Sequence, residues 1–169
     1  VYTAMDVDHQ QAAEAALRRG LQDSSKRRGW QGPLANLSQD EQAPFLAAMN
    51  TEYFPTDSIA DVSEGQWIKV LITEVTKDKA LALAGPFGAT IPVDTMAWCR
   101  TPNPKVAPEN AGSISDARKV LEPGDVVWAS ITAIDQASTG LTLALEQTPE
   151  IQGALVSIEP PTGEVVALV

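Results

Sequence analysis

The chain has 169 residues, is 44% hydrophobic and carries a formal net charge of −10. That length and apolar content suffice for one cored domain, or a small domain with flanking pieces. The acidity speaks against nucleic acid, whose non-specific affinity rests on a basic face, and against contact with anionic lipid.

No run approaches the ~18 apolar residues that span a bilayer. The charge is uneven: +1 over residues 1–32 and −11 over residues 33–169. The basic run Lys26, Arg27 and Arg28 reads as a solvated helix end, where cations complement the helix dipole.

Val1, Tyr2 and Thr3 form a short β-like piece. Asp8 suits a helix cap with Gln11 three positions on, and Ala13, Ala16, Leu17 and Leu21 recur at helical spacing. These predict an amphipathic helix over 9–22, weakened at Gly20 and followed by a turn from Gly29 to Pro33. Ser38 and Glu41 match a capping box, yet Pro44 favours a short helix starting near itself, through Phe45, Leu46, Ala48 and Met49. Tyr53 to Asp61 reads as loop.

The period then changes. Ile68, Val70 and Ile72 alternate with Trp67, Lys69, Leu71 and Thr73, which marks a strand. Asp78 and Lys79 turn into a strand over 80–84, where Leu81 and Leu83 share a face. Residues 85–88 turn again into a strand over 89–93, with Pro92 at an edge or near its end. Thr101 to Pro108 holds three prolines and is expected to be extended or loop. Ser115 is expected to cap a short helix from Asp116 to Leu121. A strand follows over 125–135, with Val127, Ala129, Ile131 and Ala133 on one face and Trp128 and Ile134 on the other. After the loop 136–140, Leu141, Leu143 and Leu145 give the cleanest alternation in the chain.

Three strands, a helical interruption and two more strands predict a mainly β fold with short helices (α+β). Its centre is a five-stranded barrel of the oligonucleotide/oligosaccharide-binding (OB) type. Closure removes the exposed edges that many short apolar strands would otherwise present, and five strands are few for a sandwich. The last stretch reads as two apolar strands, Gly153–Ile158 and Glu164–Val169, joined by a Pro/Gly turn. Leu155, Val156 and Ile158 suit a sheet covered on both faces, so the two ends of the chain are expected to belong to a further domain of a longer protein.

The residue inventory offers no catalytic set, no metal site and no cofactor site. His9 is the single histidine and sits at a helix start; Cys99 is the single cysteine and reads as a structural thiol. No Ser-x-x-Lys occurs: Ser24 and Ser25 are each followed three residues later by arginine. The candidate binding residues are Trp67, Trp98 and Trp128, on or beside barrel strands. Such rings serve as barrel wall, as a contact for another domain, or as a platform for stacking. The acidic surroundings disfavour oligonucleotides, whereas a neutral glycan stacks on tryptophan without positive charge.

Several pieces coincide with one family. They are Val1 to Asp6 with Gln10 to Glu14; Leu17 to Leu21; Arg27, Arg28, Gly29, Trp30, Gln31, Gly32 and Pro33; Trp98 with Arg100; Val120 to Asp125; and Gln152 to Ile158 with Gly163, Glu164 and Val165. In these the chain resembles the region around the start of the transpeptidase domain in bifunctional class A penicillin-binding proteins. The resemblance implies an inserted OB-like domain over 34–150, with 1–33 and a truncated β-hairpin over 151–169 belonging to the transpeptidase domain. It implies a peptidoglycan glycosyltransferase and DD-transpeptidase on the periplasmic side of the bacterial cytoplasmic membrane. Its serine nucleophile would follow Val169, and its glycosyltransferase glutamates and membrane anchor would precede Val1. No catalytic residue of the family maps onto this chain. In some Gram-negative members the inserted region docks an outer-membrane lipoprotein activator. The expected role is therefore a non-catalytic regulatory module, with the rest of the synthase, a lipoprotein activator and peptidoglycan as candidate partners. The alternative is an OB-type glycan or oligonucleotide binder.

Overall fold

The computed structural model describes residues 3–107 and 110–169. The chain packs as two compact units: Arg28–Gln147, and Thr148–Val169 with the described residues up to Arg27. Of the β-like piece expected over Val1 to Thr3, Val1 and Tyr2 lie outside the described residues, and Thr3 belongs to no strand.

The larger unit contains β1 (Ala35–Asn36), α2 (Gln39–Tyr53), β2 (Trp67–Val75), β3 (Lys79–Ala84), β4 (Phe87–Pro92), β5 (Asp125–Asp135) and β6 (Gly140–Glu146); α1 (Val7–Arg28) precedes them. Strands β5, β2, β3, β4 and β6 hydrogen-bond in that order, and β6 pairs back onto β5, so the five-stranded sheet closes. Neighbours are antiparallel except β4 and β6, which run parallel. This is the expected OB-like barrel, with the short β1 added alongside β5.

Interior positions follow the two-residue pleat. Ile68, Val70 and Ile72, then Val127, Ala129 and Ile131, then Leu141, Leu143 and Leu145 are all buried. In β3 the inward residues are Ala80, Ala82 and Ala84, while Leu81 and Leu83 share the half-buried outer face. Five strands enclose a narrow space, and small side chains opposite the leucines and isoleucines of the other strands let it fill without overpacking. Met96, Cys99 and Leu121 from the excursion between β4 and β5 join the same core, as do Phe54, Ile59 and Val62 from the segment before β2.

Several local expectations are corrected. The N-terminal helix runs Val7–Arg28 rather than 9–22, and its cap is Asp6, whose Oδ1 accepts from the His9 N–H at 2.9 Å. It ends where Gly29 adopts φ +106°, a left-handed residue just past the last turn. Helix α2 starts at Gln39, because Glu41 Oε2 accepts from the Ser38 N–H at 2.9 Å and from its hydroxyl at 2.6 Å. Pro44 therefore lies inside the helix, where its missing N–H costs one backbone bond. The expected helix from Asp116 to Leu121 is a single 3₁₀ turn, Ala117–Lys119, capped by Asp116 rather than Ser115. Phe87 and Gly88 belong to β4 rather than to the turn before it. A bulge between Ile131 and Ala133 reverses the faces of the end of β5: Ala133 is exposed and Ile134 packs against the core. Residues 59–61 of the expected loop form a 3₁₀ turn.

Helix α2 lies against β2 and β3. Its end meets the β3–β4 turn at Gly85, φ +56°, where a Cβ would stand 2.9 Å from the Phe54 ring. Phe54 in turn packs edge-on to Phe87, with centroids 4.9 Å apart.

In the smaller unit, β7 (Val156–Ile158) and β8 (Val165–Leu168) form a two-stranded antiparallel sheet. The start of α1 is tied to it: the Asp6 N–H donates to the Val166 carbonyl at 3.0 Å, and the Gln10 amide bonds both the carbonyl and the N–H of Leu168 at 2.9 Å. Gly153 lies against Leu17 and Leu21. Val156, Ile158, Val165 and Leu168 are 44–62% exposed in this chain, so the cover expected for both faces of these strands is not supplied by the described residues.

Candidate interaction surface

Two of the three candidate tryptophans meet. Trp67 on β2 and Trp128 on β5 lie on the outer barrel face, where Lys69 is the register partner of Trp128 and Trp67 that of Ser130. The Trp67 and Trp128 rings are 6.3 Å apart and inclined at 48°. Lys69 Nζ stands 5.1 Å from the centre of the Trp128 ring, within cation–π range. On the far side, Glu146 of β6 pairs with Trp128, and the Ser130 hydroxyl donates to its Oε1 at 3.0 Å. The sheet thus sets a cation, a ring and a carboxylate in one row. Both rings are half-buried, which leaves part of each open to a partner.

Trp98 is placed elsewhere. It packs against the barrel core and edge-on to Trp30, with centroids 5.7 Å apart. The reading from sequence missed Trp30 and Lys69 as members of these two ring clusters. Lys69 was legible as a same-face neighbour of Trp67 two residues along a strand; its approach to Trp128 follows from the β2–β5 register, which pattern does not give.

OB barrels commonly take extended ligands on the second and third barrel strands and the adjoining loops. Here that outer face shows Lys79, Leu81, Leu83, Gly88 and Thr90, and the ring at Phe87 is engaged by Phe54. The β5–β6 loop folds onto itself: Asp135 accepts from the Ala137 N–H, the Ser138 N–H and the Ser138 hydroxyl. The hydroxyl bond, then the two N–H bonds, hold the Asp135 carboxyl below the usual carboxylate range. The rings lie on β2 and β5 instead, so this geometry offers an oligonucleotide no row of stacking bases on the usual face.

His9 is exposed at the start of α1, its Nδ1 3.1 Å from Asp6 Oδ1, and Cys99 is buried. Among the described residues, no group of three His, Cys, Asp or Glu side chains could hold a metal ion. No described helix is long and apolar enough to cross a membrane.

Residues 30–151 match the family described as "Penicillin-binding protein OB-like domain". The chain is similar over its whole length to penicillin-binding protein 1A of Rickettsia typhi (29% identical) and of Escherichia coli K12 (27% identical), and covers 18% of each. It thus spans under a fifth of the length of these curated relatives. The crystal structure of penicillin-binding protein 1A from Haemophilus influenzae superposes on the whole chain with a TM-score of 0.60 at 19% identity, over 21% of that protein, a likeness of fold. A closed five-stranded barrel with this match over most of the chain leaves one assignment: the protein belongs to the penicillin-binding protein OB-like domain family.

Proposed function

We propose that this chain is a non-catalytic regulatory and interaction module of a bifunctional peptidoglycan synthase on the periplasmic side of the cytoplasmic membrane. Residues 1–33 and 151–169 would belong to the transpeptidase domain of that synthase, and residues 34–150 to the inserted OB-like domain. Chemistry is carried out by glycosyltransferase and transpeptidase centres elsewhere in the longer protein. The barrel receives a protein partner, of which an outer-membrane lipoprotein activator is the leading candidate. The observation that carries this reading is the Trp67–Trp128 pair beside Lys69, rings held half-open on the face of a rigid closed sheet. Tryptophan is among the side chains that most often anchor protein interfaces.

The logic is linkage. A barrel joined by two covalent connections biases its neighbours when a partner binds two arrangements of the whole unequally. Calorimetry of the chain with periplasmic lipoproteins and with the synthase's catalytic domains tests the reading. Binding that Trp128→Ala weakens about tenfold or more supports it; no heat with any of them removes it. A glycan partner is the second reading, favoured by the same open rings. Tryptophan fluorescence during titration with peptidoglycan strands separates the two, since a saturable change there, with no protein binding, selects glycan.

A further inference from the structure

The two ends of the barrel unit are tied together by one buried side chain. Gln147 follows β6 directly and is 5% exposed. Its Oε1 accepts from the Gln31 N–H at 3.1 Å, and its Nε2 donates to the Gly29 carbonyl at 3.0 Å. The amide thus bonds the incoming chain in both directions across more than a hundred residues of sequence. A second tie adjoins it: the Trp30 N–H donates to the Arg100 carbonyl at 2.9 Å. Gly29, φ +106°, sits so close that a Cβ there would collide with the same Arg100 carbonyl. The Trp30 ring, edge-on to Trp98, closes the group on the core side.

We propose that Gln147, Gly29, Trp30, Gln31 and Arg100 form a clasp that fixes the incoming and outgoing chains of the barrel at one spacing and opens as a unit. Gln147 and Gly29 are buried while Gln31 is exposed, so releasing either bond is costly chiefly on the Gln147 side, where the amide atom left behind is unpaired away from water. Opening one bond therefore favours opening the rest. A force on the barrel reaches both chain connections together, and neither can pay out separately. This rests on the geometry of the barrel unit alone and stands whatever partner the tryptophan face takes.

Amide hydrogen exchange of the whole chain tests it. In the native protein the Trp30 and Gln31 N–H groups should share one exchange rate, slower than that of exposed loop amides. Gln147→Met keeps the buried volume and removes both bonds. It should speed exchange at Gln31 and Trp30 alike by about tenfold or more while the β5 and β6 amides stay within about twofold. Gly29→Ala, acting from the Arg100 side, should open the same amides, and the double variant should exchange no faster than the quicker single one. Unequal native rates, acceleration at Gln31 without Trp30, additive effects in the double variant, or a Gln147→Met chain that loses protection throughout the barrel would each overturn the clasp.

Discussion

At the scale of residues, exposed and half-buried carboxylates hold their loops by accepting nearby hydrogen bonds. Asp116 takes two bonds from the Arg118 guanidinium, at 2.9 and 2.8 Å, and that contact pulls its carboxyl down to about 2. Asp61 is lowered by the Thr56 hydroxyl and Glu41 by the Ser38 hydroxyl, each helped by backbone N–H groups, and Asp135 by Ser138. A folded-state pKa below the unfolded one contributes stability that is present above the ordinary carboxylate range and lost as pH falls through the folded value. The urea midpoint should therefore drop as pH is lowered from about 5 toward 2, and Asp135→Asn should flatten part of that slope. A midpoint independent of pH over that range would contradict the assignment. On the alkaline side, burial, with the Glu52 carboxylate adding, pushes the Tyr53 hydroxyl up to about 12. A raised folded value gives stability that is present below the unfolded pKa of about 10 and lost as pH rises through the folded one. Tyr53→Phe should remove that alkaline loss in the same titration. The candidate tryptophans were legible as residues. Their partners were not: whether Trp128 meets Trp67 or Trp98 depends on strand register and on an excursion whose path no local pattern encodes.

At the scale of elements, alternation was readable where large apolar residues mark the inner face. In β2 and β6 the inward Ile68, Val70, Ile72, Leu141, Leu143 and Leu145 stand as expected. β3 inverted the usual cue, because a narrow barrel takes Ala82 inside and leaves Leu81 on the half-buried outside. The end of β5 misled for another reason: a bulge shifts the side-chain period by one, and nothing in Ser130 to Ala133 announces it. Helix α1 outran its apolar pattern because Gly29, not the last leucine, stops it. These differences give opposed mutational outcomes. Ala82→Leu should destabilise the chain by about 1–3 kcal/mol through overpacking. Leu143→Ala, in the fully buried β6 row, should cost about 2–5 kcal/mol through the cavity it leaves. Leu81→Ala should cost clearly less than Leu143→Ala. Chemical denaturation ranks the three, and a larger loss at Leu81 than at Leu143 would place the wrong face inside. Ser38→Ala removes the hydroxyl bond to Glu41 while keeping the Ser38 N–H bond, and should cost about 0.5–1.5 kcal/mol in the same assay.

At the scale of the molecule, the fold and the family were legible together. Strand count, the break between the third and fourth barrel strands, and the matching pieces from Arg27 to Pro33 and Val120 to Asp125 all pointed to one barrel type. The exposed Val156, Ile158, Val165 and Leu168 on the terminal strands accord with the proposal that a larger protein completes this sheet. The central claim is that the barrel acts by presenting its β2–β5 tryptophan face to a partner. The most direct test compares the longer protein proposed above with its Trp67→Ala, Trp128→Ala double variant, each titrated with the partner that calorimetry identifies. The predicted result is loss of partner binding with the urea midpoint of the barrel little changed. Partner binding equal to that of the native protein would contradict it.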